Sequence, residues 1–225
     1  MTDTLTAKPL ALVTGASRGI GAATAKALAA SGFHVILTAR KDKDLEAVDD
    51  AIAAAGGTAT IAPFDITDGD AIDRLASALA NRWGRLDVLV LNAAQLGVLA
   101  PIPHIDSKDW DRVIATNLTA NWRLLRALDP LLRQAGAAHV VALTSSVGSQ
   151  PRAYWGAYAA SKAALENLIA TYGLETASIS ALKTHIINPG ATRTAMRARA
   201  YPGEDPQTVK PPEEVAAMVM DAIRG

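Results

Sequence analysis

Short apolar runs recur along the chain and are separated by longer amphipathic stretches. The runs favour β-strands, and they fall at residues 10–13, 35–38, 58–62, 88–91, 140–143 and 184–187. Apolar residues at helical intervals predict intervening helices over residues 22–31, 45–55, 71–83, 109–133 and 158–176. This alternation predicts an α/β fold in which a doubly wound parallel sheet carries helices on both faces.

A polar residue follows each predicted strand at or near its end. In chain order these positions are Thr14-Gly15, Arg40, Asp65, Asn92, Ser145-Ser146 and Asn188-Pro189-Gly190. Turn residues are common after any strand, which accounts for some of these residue types but not for their combination. Because the carboxyl ends of parallel strands lie along one edge, where ligands bind, we expect the six positions to share one crevice.

The organisation of the chain favours one domain. Its 225 residues contain no repeat or linker that would divide them, so we predict a single domain over residues 1–225. The one loose segment, residues 191–212, contains Pro202, Gly203, Pro206 and the pair Pro211-Pro212. We expect this segment to form a flexible lid over the substrate.

Composition narrows the classes of function. The formal net charge is zero, so no positive electrostatic potential is expected to attract nucleic acid or an anionic membrane. Without cysteine there is no disulfide or thiolate, and the four histidines lack ligand spacing, so no metal site is predicted. The first residues lack the pattern of a signal peptide, and no apolar run approaches the roughly 20 residues of a membrane span. We expect a cytoplasmic protein with a small-molecule partner.

A glycine-rich turn joins the first strand to an alanine-rich helix. It reads TGASRGIG, with Gly15 for the tight turn, Gly19 for close approach of a pyrophosphate and Gly21 for helix packing. The free amides and partial positive charge at the start of a helix suit phosphate. The turn therefore predicts a dinucleotide cofactor on a Rossmann-like sheet.

The residues after the second strand bear on which dinucleotide is bound. Many dinucleotide sites hold the ribose with an acid about 20 residues past the glycine turn, but Ala39 stands there and Arg40 follows. Arginine can hold a ribose phosphate by paired hydrogen bonds, and Arg18 offers a second cation. This favours NADP(H). The alternatives are that both arginines are solvated and that Asp42 is a late ribose ligand.

Tyr158 and Lys162 form a candidate proton-transfer pair. Positions i and i+4 lie on one helix face, so the ammonium can favour the phenolate. Lowering a tyrosine pKa from about 10 to about 7 requires about 4 kcal/mol of differential stabilisation. Such a tyrosine exchanges protons with an alcohol or carbonyl oxygen near neutral pH. An ordinary amphipathic helix that happens to carry both residues is the alternative.

Taken together, these motifs resemble the classical short-chain dehydrogenases and reductases. The resemblance covers nearly the whole chain, and it rests on the Gly-x-x-x-Gly-x-Gly turn, Asn92-Ala93-Ala94, Asn117, Ser146, Tyr158-x-x-x-Lys162 and Pro189-Gly190. It implies an NADP(H)-dependent oxidoreductase that transfers a hydride between nicotinamide and a carbonyl or alcohol substrate. A cofactor-binding regulatory or assembly protein of the same fold is the alternative function, and a lyase or epimerase is a further one.

The resemblance assigns catalytic roles to four residues. Tyr158 would be the general acid or base, Lys162 would lower its pKa, and Ser146 would bind the substrate oxygen. Asn117 would complete a proton relay to Lys162 through its helix backbone and a water. The spacing from Ser146 to Tyr158 is one residue shorter than is common in the family, so Ser145 is the alternative serine.

The resemblance also implies the cofactor contacts. Asp65 would contact the adenine amino group beside Ile66, Asn92 would support the cofactor, and Thr194 would donate to the carboxamide. The full predicted set is Gly15, Ser17, Arg18, Gly19, Ile20, Gly21, Arg40, Asp65, Ile66, Asn92, Ala93, Tyr158, Lys162, Pro189, Gly190, Thr192 and Thr194.

Several features concern the sheet edge, the assembly and the substrate. No counterpart of the family's seventh strand is recognisable, and this predicts an exposed edge at the sixth strand. The resemblance implies a homodimer or homotetramer that pairs through the helices bearing Asn117 and Tyr158. Tyr154, Trp155 and Tyr158, with the run 96–99, favour an apolar or aromatic carbonyl compound. The alternative is that these aromatic residues pack in the core or in an interface. Three arginines of the loose segment offer an anion site or only a solvated face: Arg193, Arg197 and Arg199.

Overall fold

Six parallel strands form one sheet in the computed structural model, which describes residues 8–225. The order across the sheet is β3-β2-β1-β4-β5-β6. The strands are β1 (Leu10–Thr14), β2 (His34–Thr38), β3 (Thr58–Ile61), β4 (Val88–Leu91), β5 (His139–Leu143) and β6 (Lys183–Ile187). This confirms the predicted sheet. The expectation that the first residues are no signal peptide concerns residues 1–7, which lie outside the described part of the chain.

Helices cover both faces of the sheet, as predicted. They are α1 (Gly19–Ala30), α2 (Lys43–Ala54), α3 (Gly69–Arg82), α4 (Ser107–Ile114), α5 (Ala120–Gln134), α6 (Ser146–Ser149), α7 (Gly156–Thr176), α8 (Ala195–Ala200) and α9 (Pro212–Arg224). The sheet has one hydrophobic core on each face. On one face β1 packs against α1, α2 and α9, and on the other it packs against α3, α5 and α7. Ala11 and Val13 point into the first core while Leu10 and Leu12 point into the second, which is why the strand is apolar throughout.

The neighbours β1 and β4 mark the point at which the strand order reverses. From β1 the chain proceeds outward through β2 and β3, and from β4 it proceeds the other way to β6. Loops at such a point separate above the sheet and leave a crevice. The glycine turn after β1 and Asn92 after β4 therefore lie side by side at the mouth of that crevice.

The helix predicted over residues 109–133 is wrong in one respect, because it is interrupted. A π-helical segment, Ala115–Thr119, lies between α4 and α5. The apolar positions continue through this segment, so the period of the sequence gives no sign of the extra residue that a π turn contains. Asn117 lies at the centre of the segment and is fully buried.

The expected lid, residues 191–212, contains regular structure. It carries α8 and a single 3-10 turn, Pro206–Thr208. Thr192 pairs with Lys210 in an isolated parallel bridge, so the two ends of the segment are held together. Arg199 in α8 donates a 2.6 Å hydrogen bond to the carbonyl oxygen of Gly97. The flexibility of the lid stays a prediction.

The outer edge of β6 is unpaired in the described part of the chain, which holds six strands and no seventh. Lys183 at its start is exposed and Ile186 is 43% exposed. This agrees with the expected open edge.

Candidate cofactor and proton-transfer site

The glycine turn after β1 requires glycine at two positions, at one for its backbone conformation and at the other for lack of space. Gly15 has φ of 65°, a conformation that favours glycine. A Cβ atom on Gly21 would lie 2.2 Å from the carbonyl oxygen of Gly15 and 2.5 Å from Nδ2 of Asn92. These distances are far below any van der Waals contact. The first turn of α1 can therefore approach the loop closely only because residue 21 has no side chain.

Asn92 and Thr14 hold the glycine turn in position. The Asn92 Nδ2 atom donates to the carbonyl oxygens of Thr14 and Gly15 at 2.8 and 3.2 Å. The Thr14 hydroxyl accepts from the amides of Asn92 and Ala93 at 3.0 and 3.1 Å and donates to Val90. Asn92 thus supports the loop that would hold the cofactor. Thr14 was not among the predicted site residues, although it directly precedes Gly15 in the motif.

The start of α1 fits a pyrophosphate. Arg18, which precedes the helix, has an extended backbone and makes no side-chain cap, so the first amides of α1 remain available. Ser17 and Ile20 flank this turn and are partly buried. Because residue 21 has no side chain, the loop and the start of α1 lie close together. Their available amides form a cradle that suits a phosphate group.

Arg18 and Arg40 are the cations beside this cradle. Both are exposed, and neither forms an ion pair with any residue of 8–225. Arg40 also lines a cavity of about 540 Å³ together with residues 95–99 and Arg112 and Arg199. Two arginines without acidic partners fit the additional ribose phosphate of NADP(H).

The other predicted cofactor residues lie around the same crevice. The Asp65 carboxylate accepts from the amide and hydroxyl of Thr67 at 2.9 and 2.8 Å, and Ile66 is buried. Across the crevice, the Thr192 hydroxyl donates to Pro189 at 3.1 Å, and Gly190 has φ of 62°. Thr194 caps the start of α8, and its Cγ2 would lie 3.3 Å from a Cβ atom on Gly19. The lid therefore meets the glycine turn at this point.

Tyr158 and Lys162 are both buried in the first turns of α7. The Lys162 Nζ atom lies 5.8 Å from the centre of the Tyr158 ring and donates a 2.6 Å hydrogen bond to the carbonyl oxygen of Leu143. Burial lowers the pKa of Lys162 to about 8, an effect that the nearby Glu166 carboxylate partly opposes. The two functional groups therefore share one face of the helix, as their spacing predicts.

The pKa of Tyr158 differs from the sequence-based expectation. Burial raises the pKa of Tyr158 to about 12, and a hydrogen bond with Ser145 opposes this rise. We expected the ammonium of Lys162 to bring the value towards 7. Desolvation of the phenolate is the larger effect, because the residue is only 8% exposed. In this geometry Tyr158 is protonated near neutral pH.

The structure places Ser145, not Ser146, against Tyr158. Ser145 has an extended backbone and immediately precedes α6, whereas Ser146 is the first helical residue and is exposed. This contact favours Ser145, the alternative to Ser146, and Ser145 stands 13 positions before Tyr158. Which serine binds the substrate oxygen stays a prediction.

Asn117 is held inside the protein by its side chain. Its Oδ1 accepts from the Gln95 amide at 2.7 Å, and its Nδ2 donates to the Gln95 carbonyl at 2.9 Å and to the Ser161 hydroxyl at 3.0 Å. Its backbone carbonyl accepts a 2.7 Å hydrogen bond from Nδ2 of Asn121. Asn117 thus fixes the loop after β4 to α7, the helix that bears Tyr158. Neither Gln95 nor Asn121 was a predicted site residue.

A second cavity of about 370 Å³ opens beside Ser145. Its walls come from the segment that follows β5, the residues after β6 and the lid. The lining residues are Ser145, Ser146, Val147, Arg152, Trp155, Asn188, Gly190, Ala191, Arg197 and Tyr201. The Trp155 and Tyr158 rings meet edge to face at 5.9 Å, so this cavity adjoins the proton-transfer pair.

The three lid arginines have separate partners. Arg193 donates to the Gln207 side-chain oxygen at 3.2 Å, and Arg199 contacts the Gly97 carbonyl. Arg197 forms a paired salt bridge with Glu204, with contacts of 2.6 and 2.5 Å. The charge of Arg197 is therefore neutralised by Glu204.

The described residues contain no helix that is both long and apolar enough to cross a bilayer. They also contain no group of three or more side chains suited to hold a metal ion.

Comparison with known proteins places this arrangement among its relatives. A family model described as short chain dehydrogenase matches residues 9–205. The chain is 39% identical over 212 residues to the uncharacterized oxidoreductase YciK of Escherichia coli K12, covering 93% of this chain and 83% of YciK.

Solved structures give the same result. A short-chain dehydrogenase from Pseudomonas syringae superposes with a TM-score of 0.93 at 39% identity, covering 96% of this chain and 88% of that one. A short-chain dehydrogenase from Escherichia coli CFT073, in complex with NADPH, superposes with a TM-score of 0.89 at 38% identity. That match covers 96% of this chain and 92% of the other.

Proposed function

Since the chain belongs to the short-chain dehydrogenase family of oxidoreductases, we propose that it transfers a hydride between NADP(H) and a carbonyl or alcohol group of a small molecule. The observation that carries this proposal is the burial of Tyr158 beside Lys162 and Ser145, at the strand edge that also bears the glycine turn. A protein that only binds a nucleotide has no need of a buried tyrosine, lysine and serine at this place.

The residues act on the proton and on the charge of the substrate oxygen. In reduction, the Tyr158 hydroxyl donates its proton to that oxygen, and its raised pKa keeps the proton in place near neutral pH. The Ser145 hydroxyl donates a hydrogen bond to the same oxygen as negative charge develops there. The bound nicotinamide would supply or accept the hydride.

Lys162 stabilises the tyrosinate that remains after proton transfer. Its ammonium is buried 5.8 Å from the ring, where weak solvation strengthens the attraction between opposite charges. Asn117 is a positioning residue, because its amide joins the Gln95 backbone to Ser161 on the catalytic helix. We propose that its backbone and a water complete the proton relay to Lys162.

The preference for NADP(H) rests on Arg18 and Arg40. Both side chains lie beside the glycine turn without an acidic partner among residues 8–225. A free guanidinium can hold the ribose phosphate that distinguishes NADP(H) from NAD(H). The NADPH complex of the related E. coli CFT073 protein supports this choice.

We also propose a homodimer or homotetramer that pairs through α5 and α7. The outer surfaces of these helices carry apolar residues, among them Trp122 at 46% exposure and Leu174 at 80%. Aromatic residues such as Trp122 are enriched in protein interfaces relative to the rest of the surface.

The decisive experiment replaces Tyr158 with phenylalanine. Calorimetric titration with NADPH should give an affinity within a few-fold of wild type, while turnover on a carbonyl panel should fall by about 100-fold or more. Tyr172→Phe is the matched control, since Tyr172 lies on the same helix but donates to Asp129. Normal turnover by Tyr158→Phe would contradict the assignment of the general acid.

A further inference from the structure

The cavity beside Ser145 contains an arginine without an acidic partner. The Cζ atom of Arg152 lies 5.6 Å from the centre of the Trp155 ring and 5.1 Å from that of the Tyr201 ring. Its Nη1 atom donates to the Tyr201 hydroxyl. No carboxylate within residues 8–225 forms an ion pair with it. The two rings thus hold a guanidinium whose charge remains uncompensated.

The other cation of the cavity is already neutralised. Arg197 binds Glu204 through two hydrogen bonds and lies 3.6 Å from the centre of the Tyr201 ring. No aspartate or glutamate lines the cavity. The net charge of the walls is therefore positive, and Arg152 is its source.

Arg152 is also placed to reach a molecule held at the proton-transfer pair. The Trp155 ring contacts the Tyr158 ring edge to face at 5.9 Å and also lies 5.6 Å from the Arg152 guanidinium, so it links the two. Ser145 and Arg152 line the same cavity. A substrate whose oxygen lies at Ser145 would run along the indole of Trp155 towards Arg152.

We propose that Arg152 binds a carboxylate of the substrate, so that the substrate is an anionic carbonyl compound or alcohol. The carboxylate and the reacting carbon are separated by a flat or apolar segment that packs on Trp155. Arginine suits this task because its planar donors pair with both carboxylate oxygens, and the two rings orient it beforehand. This inference rests on the proposed oxidoreductase function for the identity of the reacting group.

The activity test compares an aldehyde that carries a carboxylate with its uncharged methyl ester. These are 4-formylbenzoate and its methyl ester, each reduced with NADPH by wild type, Arg152→Met, Arg152→Lys and Arg193→Met. We expect wild type to favour the acid, and Arg152→Met to lower the acid-to-ester ratio of kcat/KM by about 10-fold or more. Arg152→Lys should recover part of that ratio. Arg193→Met removes an exposed lid cation outside the cavity and should leave the ratio unchanged.

A binding test separates the anion site from the reaction. Benzoate is titrated into the NADPH-loaded protein, and calorimetry measures its affinity. Weaker binding to Arg152→Met by about 10-fold or more, with Arg193→Met matching wild type, supports the site even if neither aldehyde is reduced. If benzoate binding depends on Arg152 but neither aldehyde is reduced, the anion site stands and the proposed reaction on these aldehydes is contradicted. An acid-to-ester ratio and a benzoate affinity that are the same in wild type and Arg152→Met would overturn the assignment of Arg152.

Discussion

The Nζ atom of Lys162 donates a 2.6 Å hydrogen bond to the carbonyl oxygen of Leu143, the last residue of β5. The lysine is 2% exposed, so its ammonium is removed from water beside a strand end. Glu166, one turn further along α7, favours the charged form but does not outweigh the loss of hydration. The catalytic helix is thus joined to the sheet by a cation that is costly to bury.

This burial should make stability depend on pH. The pKa of Lys162 is about 8 in the folded protein and 10.5 in the unfolded chain, so between these values the unfolded state binds more protons and stability rises with pH. From about pH 7.5 to about pH 9.5 the free energy of unfolding of wild type should rise by about 2 kcal/mol more than that of Lys162→Met. Urea unfolding at the two pH values provides the measurement.

The raised pKa of Tyr158 acts in the opposite direction and at higher pH. The folded protein keeps the phenol proton up to about pH 12, whereas the unfolded chain releases it near 10, so stability is lost as pH rises through that range. The window chosen for Lys162 lies below it. A parallel pH dependence in wild type and Lys162→Met would show that the buried ammonium is not the source.

The two serines after β5 should differ in their contribution to turnover. Ser145→Ala should lower kcat/KM by about 100-fold, because it removes the donor to the developing oxyanion. Ser146→Ala should lower it by no more than a few-fold, since Ser146 is exposed and the hydrogen bond to Tyr158 comes from Ser145. Steady-state kinetics on the same carbonyl substrate compares them. The reverse order would return the catalytic role to Ser146.

Cofactor choice should depend on Arg40. In Arg40→Ser the dissociation constant for NADPH should rise by about 10-fold or more, because paired, charge-assisted hydrogen bonds to the ribose phosphate are lost. That for NADH should change little. Lys41→Ser, an exposed neighbour with the same change of charge, is the calorimetric control. An equal loss of affinity for both nucleotides would contradict the role given to Arg40.

The proposed subunit contact is tested at Trp122. A glutamate on this exposed face of α5 would place a charge inside an apolar interface, so Trp122→Glu should shift the protein to monomer at micromolar concentration. Light scattering measures the mass. Ile179→Glu introduces the same charge at an exposed apolar residue beyond α7 and should not change it. A monomeric wild type would rule out the assembly.

Some of this site could be predicted because its residue types have few substitutes. Only glycine fits at residue 21, where a Cβ atom would overlap the Gly15 carbonyl, and the turn is therefore visible in the sequence. The spacing of Tyr158 and Lys162 is likewise fixed by the helix. Features that depend only on neighbouring residues in this way can be predicted from a short stretch of sequence.

Other features depend on details that leave no pattern. The choice between Ser145 and Ser146 is set by the residue at which α6 begins, and both serines carry the same hydroxyl. The pKa of Tyr158 depends on how completely α7 buries the ring, which spacing does not reveal. The position of Arg152 depends on an irregular segment without hydrophobic period. These facts require the three-dimensional arrangement.

The π turn at residues 115–119 makes the site more sensitive to insertion and deletion than to substitution. A π turn takes up one more residue than an α turn, so removing one residue here would close the bulge and turn its residues about the helix axis while α4 and α5 keep their register. Asn117 would then point away from Gln95, and the loop after β4 would lose its link to the catalytic helix. Chain length, as well as residue identity, should therefore be under selection in this segment.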